Sequence, residues 1–420
     1  MPSERAVRLG ARDQLILSCF WLAYNFEWGA LVPVVLPSQI AAIVGDARKE
    51  LYNGLIPSIG AALSLLATPI AGALSDRSLN RKGRRRPFLA FGTAINVLFL
   101  LLLAGFGPGS SVGLFLICYL GVQFGANWAG GPYAGLIPDT VPREQRGAAS
   151  GWLALMTAAG TFLGAIAAGA LIAGVNYWPT YLAIAAMLAV LSVVALAGIK
   201  ERPLERDPGP FSARAFAASF LLRGPQYRDF YFVLLTRALV TMGIFSVFTF
   251  FQFFLKDVVG VAHPAAETSY LVGIIIATGI PTSLAAGALS DRWGRKPLVY
   301  LSGGLMAVAS LLFIGVGFFP SLAAMFWIGA LFGVGYGAYQ AVDWALAIDV
   351  LPKSEAAAKD MGIWHIALVL PQAVAPALTG IILSAFKQSS LLWGYTVVFM
   401  LTALWFILGT VFVRQIRGAR

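Results

Sequence analysis

Charge is scarce in this chain: 12% of its 420 residues are Asp, Glu, Lys or Arg, against 59% that are apolar. That balance excludes a soluble globule, because too little polar surface remains to cover a core of this size. The two cysteines, Cys19 and Cys118, both fall inside apolar runs, which excludes a disulfide framework and a thiolate metal site. The two histidines, His263 in a loop and His365 in an apolar run, are too few and too far apart for a metal or catalytic centre. No nucleophile, base and oxyanion donor are spaced for chemistry, and no phosphate-binding glycine loop is present, so the chain reads as a non-enzyme with no cofactor. No Asn-x-Ser/Thr sequon occurs and the polar loops are short, which fits a prokaryotic cytoplasmic membrane. The N-terminal MPSERAVRLGARDQ is as basic as a signal n-region, but the apolar run after it is long and lacks a small-residue cleavage site, so an uncleaved first span is expected.

What the chain does have is long apolar runs. Twelve begin near Gln14, Leu51, Phe88, Val112, Gly147, Pro179, Asp229, Glu267, Leu298, Leu322, Met361 and Leu391, each close to the roughly 20 residues that cross a hydrocarbon core. Unpaired backbone is not tolerated in lipid and the runs are too long for barrel strands, so an all-α membrane protein of twelve transmembrane helices is predicted. Of the 30 Lys and Arg, all but Arg48, Lys49, Lys256, Lys387 and Arg237 fall on one side, in alternate loops and at both termini. Basic loops stay inside, so both termini are expected in the cytoplasm, with the bilayer as a partner. The same bias explains the net charge of +11 without nucleic acid.

The runs are duplicated. GALSDRSLNRKGRRRP at Gly72 to Pro87 returns as GALSDRWGRKP at Gly287 to Pro297. A row of small residues, Gly60, Ser64, Thr68 and Gly72, precedes the first copy, and Gly279, Ser283 and Gly287 lie at the matching offset; such rows let helices approach closely in lipid. A second echo matches Asp139 with Asp349 and Pro142 with Pro352. Duplicated halves are how many secondary transporters are built. The division expected is a six-helix bundle over 1–198, a charged, Pro-rich linker over 199–228 with a short interfacial helix, and a pseudo-symmetric second bundle over 229–420.

The doublet resembles the cytoplasmic signature of the major facilitator superfamily, through Gly72, Asp76, Arg77, Gly83 and Arg84, then Gly287, Asp291, Arg292, Gly294 and Arg295. With Asp139 and Asp349 these residues are expected to form a cytoplasmic gate, acids and arginines pairing across the seam between bundles. The longer first copy, ending Gly83-Arg84-Arg85-Arg86-Pro87-Phe88, is similar to the sucrose transporters of the glycoside-pentoside-hexuronide branch, as are GGPYAGLIPD (Gly130 to Asp139) and FFQFFLKDVVG (Phe250 to Gly260). That resemblance implies a proton-coupled carrier of a disaccharide or glycoside. One departure matters: where the branch carries an acid in its fourth helix this chain has Gln123, which holds no proton.

Coupling is therefore expected elsewhere. Glu27 in the first helix, Asp343 in the tenth and Arg237 in the seventh are the charges inside spans, each costly enough there to need a partner, water or a function. A rise of 1.5 Å per residue puts Glu27 roughly 20 Å from the inner start of its helix, in the outer half of the bilayer. It puts Arg237 and Asp343 at similar depth, so they are predicted to pair. Glu27 is the expected proton carrier, because burial disfavours a charged carboxylate; with Asn25 and unwound carbonyls it would also suit sodium. Substrate recognition is expected from Tyr24, Asn25 and Trp28, from Gln123, Asn127 and Trp128, and from Tyr336, Tyr339 and Gln340. In the seventh helix Arg237, Thr241, Phe245, Phe248 and Gln252 are expected to form one stripe, with Phe248 and Gln252 binding substrate as well. The leading expectation is a monomeric, proton-coupled symporter of a disaccharide or glycoside working by alternating access; the alternative is a proton-coupled exporter of drugs or metabolites.

Overall fold

The computed structural model describes residues 9–80, 83–142, 145–172, 174–199, 201, 224–350 and 357–418. Among them twelve helices are long and apolar enough to cross a membrane: α1 Ala11–Val44, α2 Lys49–Ser75, α3 Arg86–Leu103, α4 Val112–Ala134, α5 Gly147–Leu171, α6 Trp178–Gly198, α7 Pro225–Phe248, α8 Pro264–Trp293, α9 Arg295–Phe318, α10 Leu322–Ala347, α11 Ile366–Phe386 and α12 Leu391–Gln415. Large apolar side chains such as Leu284, Phe319 and Trp327 point outward, as they do where the solvent is lipid. Most of the expected linker, including its interfacial helix, lies outside the described residues.

Helix α1 opens on Gly10, whose backbone N–H donates to the Asp13 carboxylate at 3.2 Å, an acid in the first turn where the helix dipole favours it. It then runs for 34 residues, much longer than the sequence suggests, by way of a π-helical segment at Leu31–Val35. Pro33 sits in that segment, where a wider turn accommodates a residue with no N–H to give. The extra length changes where Glu27 stands along its helix. It lies about 24 Å along a helix of about 51 Å, near the middle of that helix.

Helix α7 ends at Phe248 and restarts at Phe251–Phe254, before a second π-helical segment, Leu255–Val259. At this break the Thr249 carbonyl accepts a hydrogen bond from the Asn53 side-chain amide at 2.7 Å, an insertion of the kind that kinks helices.

The chain forms two compact units. Unit 1 comprises Met1–Leu31, Leu63–Ala167 and Leu171–Ser212; unit 2 comprises Val32–Ala62, Ala168–Ala170 and Ala213–Arg420. The far tips of α1 and α2 thus belong with the second half of the chain. Within unit 1, α5 lies directly on α1: a methyl group at Gly164 would strike the Phe26 carbonyl, and one at Gly160 the Leu22 carbonyl. Within unit 2, Gly337 of α10 meets the backbone of Gly279 of α8 in the same way. Lipid is as apolar as the side chains it surrounds, so close backbone approach and packing, rather than withdrawal from water, hold such helices together.

Candidate functional site

In unit 1 the site is built around Glu27, which is fully buried. One of its carboxylate oxygens accepts a hydrogen bond from the Asn96 side-chain amide of α3 at 2.8 Å, and the other has no hydrogen-bond partner among the described residues. The Asn96 carbonyl oxygen is likewise unpartnered. An asparagine can serve both states of such an acid: its NH2 donates to the carboxylate, and after a flip of the amide its oxygen accepts from the protonated acid. No basic side chain pairs with Glu27 among the described residues. Asn96 was missed in the sequence, although an amide in the middle of an apolar run is the signal that could have found it.

The other unit 1 candidates divide. Tyr24 stacks on Trp21 at 4.9 Å and meets Trp28 edge-on at 6.2 Å, giving α1 an aromatic face beside Glu27. Asn25 turns back to donate to the Trp21 carbonyl at 2.7 Å. Gln123 and Asn127 face each other: the Asn127 amide donates to the Gln123 side-chain oxygen at 3.1 Å, its oxygen accepts from Thr68 at 2.8 Å, and Gln123 donates to the Tyr119 hydroxyl at 2.7 Å. Trp128 packs with Phe88, Phe91 and Phe124 at 5.0 to 6.4 Å, a different cluster from that of Tyr24.

In unit 2, Arg237 of α7 donates to Asp343 of α10, and the Tyr339 hydroxyl donates to the second Asp343 oxygen at 3.0 Å. The guanidinium lies over the Trp364 ring, 3.4 Å from its centroid. Trp364 is an unforeseen member of the cluster. Phe248 packs on Phe251, Phe332 and Tyr336, and Gln340 is exposed, reaching the Tyr336 hydroxyl at 3.4 Å. The expected α7 stripe is corrected at its end: the break after Phe248 takes Gln252 away, and it donates instead to the Ser38 hydroxyl at 2.5 Å.

In each unit the signature loop follows the even-numbered helix, α2 in unit 1 and α8 in unit 2. Gly83 and Gly294 have φ of 110° and 92°, values that side chains rarely adopt, so glycine is required at both turns. In the second copy Arg295 bridges Asp291 at 2.7 Å and Asp349 at 3.2 Å. In the first copy the equivalent bridge, Asp76 at 2.8 Å and Asp139 at 2.7 Å, is made by Arg85 rather than Arg84. Arg85 also donates to the Pro132 carbonyl, its backbone N–H donates to Glu201 at 3.0 Å, and Arg84 adds a contact to Asp139 at 2.5 Å. Arg77 donates to the Ala73 carbonyl of its own helix, Arg292 is exposed, and a methyl group at Gly72 or Gly287 would meet open space. These bridges join helix ends inside each half. Neighbouring loops of one bundle converge on the same arginine, which is what brings Asp139 to Asp76 and Asp349 to Asp291.

A chain with twelve candidate spans, buried ionisable groups inside them and duplicated charged loops has the build of a membrane transporter. The family model described as "Major Facilitator Superfamily" matches residues 16–359, and the chain belongs to that superfamily as an integral, multi-pass membrane protein. It is 26% identical over 310 residues to the "Multidrug resistance protein MdtG" of Serratia proteamaculans, covering 72% of this chain and 70% of the relative. It is equally similar to the protein of that name from Escherichia fergusonii, at 26% identity covering 71% of each chain. Among solved structures, the inward-facing, unoccupied form of a bacterial homolog of the human lysosomal transporter Spinster superposes with a TM-score of 0.74 at 17% identity, covering 96% of both chains. The nucleoside transporter NupG superposes with a TM-score of 0.71 at 13% identity, covering 96% of this chain and 99% of its own. At such identities the structures speak for the fold alone.

Proposed function

We propose that the protein is a proton-coupled exporter of lipophilic drugs or metabolites. The observation that carries this reading is Glu27: a carboxyl buried near the middle of α1, with no basic partner among the described residues, held by an amide that suits both its charged and neutral forms. A group so placed can be loaded from one side and emptied to the other as the carrier alternates. The aromatic face of Trp21, Tyr24 and Trp28 suits apolar cargo, and relatives that carry the name multidrug resistance protein support the same class. The sugar reading is weakened because the Gln123 and Asn127 amides, which were to recognise hydroxyls, are engaged with each other and with Thr68 and Tyr119. The bias of basic residues supports a bacterial inner membrane with both termini inside.

In the cycle, unprotonated Glu27 accompanies cargo outward, and a proton arriving from the outer side resets the empty carrier inward. The test is reconstitution in liposomes with a pH gradient. Uptake of a lipophilic cation in exchange for protons, absent in E27Q, supports the exporter. A sugar-evoked, sodium-independent current with no movement of lipophilic cations would move the assignment to the disaccharide symporter that the first signature loop resembles.

A further inference from the structure

The end of unit 2 remote from the termini carries a cluster that the transport reading does not use. The Lys49 ammonium, fully buried at the start of α2, reaches Asp46 at 2.8 Å and Asp257 at 2.6 Å and lies 5.1 Å from the centre of the Phe253 ring. Beside it Glu50, 1% exposed, pairs with Lys387 at 2.5 Å, and Lys256 pairs with Asp46 at 3.0 Å. Three lysines meet three carboxylates, so the cluster is neutral as a whole. Asp46 stands in the turn between α1 and α2, Lys256 and Asp257 in the π-helical segment beyond the α7 break, and Lys387 just past α11.

Uncharged contacts run alongside. Asn53 donates to the Thr249 carbonyl and Gln252 to Ser38, and a methyl group on Gly380 would lie 2.6 Å from the Glu50 carbonyl oxygen. The charges thus sit on two backbones already in contact. The chain passes from unit 1 to unit 2 between Leu31 and Val32, where the π-helical segment of α1 begins, and returns between Ala62 and Leu63 within α2. The two tips carrying Asp46, Lys49 and Glu50 are therefore bounded by the points where the units divide.

We propose that these six charges form a clasp holding the tips of α1 and α2 against the end of α7 and the turn after α11, and that this end of the carrier opens only when the clasp is released. A buried charge stripped of its partner is costly, whereas a salt-exposed pair contributes little, so the buried Lys49 and Glu50 give the clasp its strength and the exposed Asp46 and Lys256 its rim. The Lys49 ammonium, with help from Lys256 and against partial burial, holds the Asp46 carboxyl down to about 2, so that member stays charged at any physiological pH. The clasp deepens the transport reading by naming the closure on one face. Its test needs no substrate, so its failure would be distinct from failure of the exporter assignment.

Ser58, buried on α2 below the clasp, supplies the probe. In a C19S/C118S background, S58C is reacted with a water-soluble thiol reagent in nanodiscs, where both faces are accessible. E50K, which sets two lysines against each other, is expected to speed modification by at least about tenfold, since losing a buried pair costs several times that in population. The swap E50K/K387E is expected to return the slow rate. An unchanged rate in E50K would overturn the clasp, and an equally fast rate in the swap would trace the effect to damaged packing rather than to the pair, overturning it as well.

Discussion

The two units bury their charges differently. Unit 1 holds a carboxylate with an amide for company, and unit 2 holds a carboxylate with its own arginine. Glu27 can gain or lose a proton and still keep Asn96 as a partner. If Asp343 is neutralised, Arg237 loses its ion-pair partner and keeps the Trp364 ring. Duplication gave both halves the same helices and loops, yet one acid is held by an amide and the other by an arginine. The proposal of coupling at Glu27 rests on this difference, and the following variants test it.

The comparison breaks most sharply at Glu27. E27Q keeps shape and hydrogen bonding but holds no exchangeable proton, so pH-driven accumulation in liposomes should vanish while thermal stability in detergent stays near that of the parent. D343N should do the reverse. In unit 2, R237A is expected to cost about 3–5 kcal/mol by leaving a buried carboxylate unpaired. The double variant R237A/D343A should cost less than the two single changes summed, as read by thermal unfolding in a double-mutant cycle. A coupling energy near zero would dissolve the pair, and the contrast between units with it. N96A comes next: it removes a hydrogen bond to a charged group, about 1.5–3 kcal/mol. It should slow pH-driven transport about tenfold or more without the collapse in stability expected of R237A.

Much of this was legible in the sequence because lipid leaves few choices. A run of apolar residues must be a helix, and Val112, Gly147, Leu322 and Leu391 begin spans where expected. Depth arithmetic brought Arg237 to Asp343, since both are counted from helix ends fixed by charged loops. Side-chain direction was not legible. Gln123 and Asn127 share a helix face whether they meet substrate or each other, and Trp128, one residue on, packs into another cluster. Nor did composition reveal that α1 exceeds the bilayer thickness, because a π-helical segment with proline continues a helix that proline would be expected to end. The clasp stayed hidden for a third reason: Lys49, Asp257 and Lys387 are far apart in the chain, and ion pairing leaves no periodic trace.

The finest contrast lies between the two signature loops. Matching the copies residue by residue aligns Arg84 with Arg295, yet Arg85 spans both carboxylates as Arg295 does. The first loop is longer in sequence, and its second arginine takes the bridging place. Arg85 is buried to 7% exposure and donates to two carboxylates and a carbonyl, whereas Arg84 reaches Asp139 from a more exposed position. R85A should therefore be more destabilising than R84A by about 1 kcal/mol, the difference between a buried charged hydrogen bond and a surface ion pair. R295A should behave like R85A, only weaker, because Asp291 and Asp349 are themselves more exposed than Asp76 and Asp139. Equal melting temperatures for R84A and R85A would mean that the residue-by-residue match, and not the geometry, describes how the loop works.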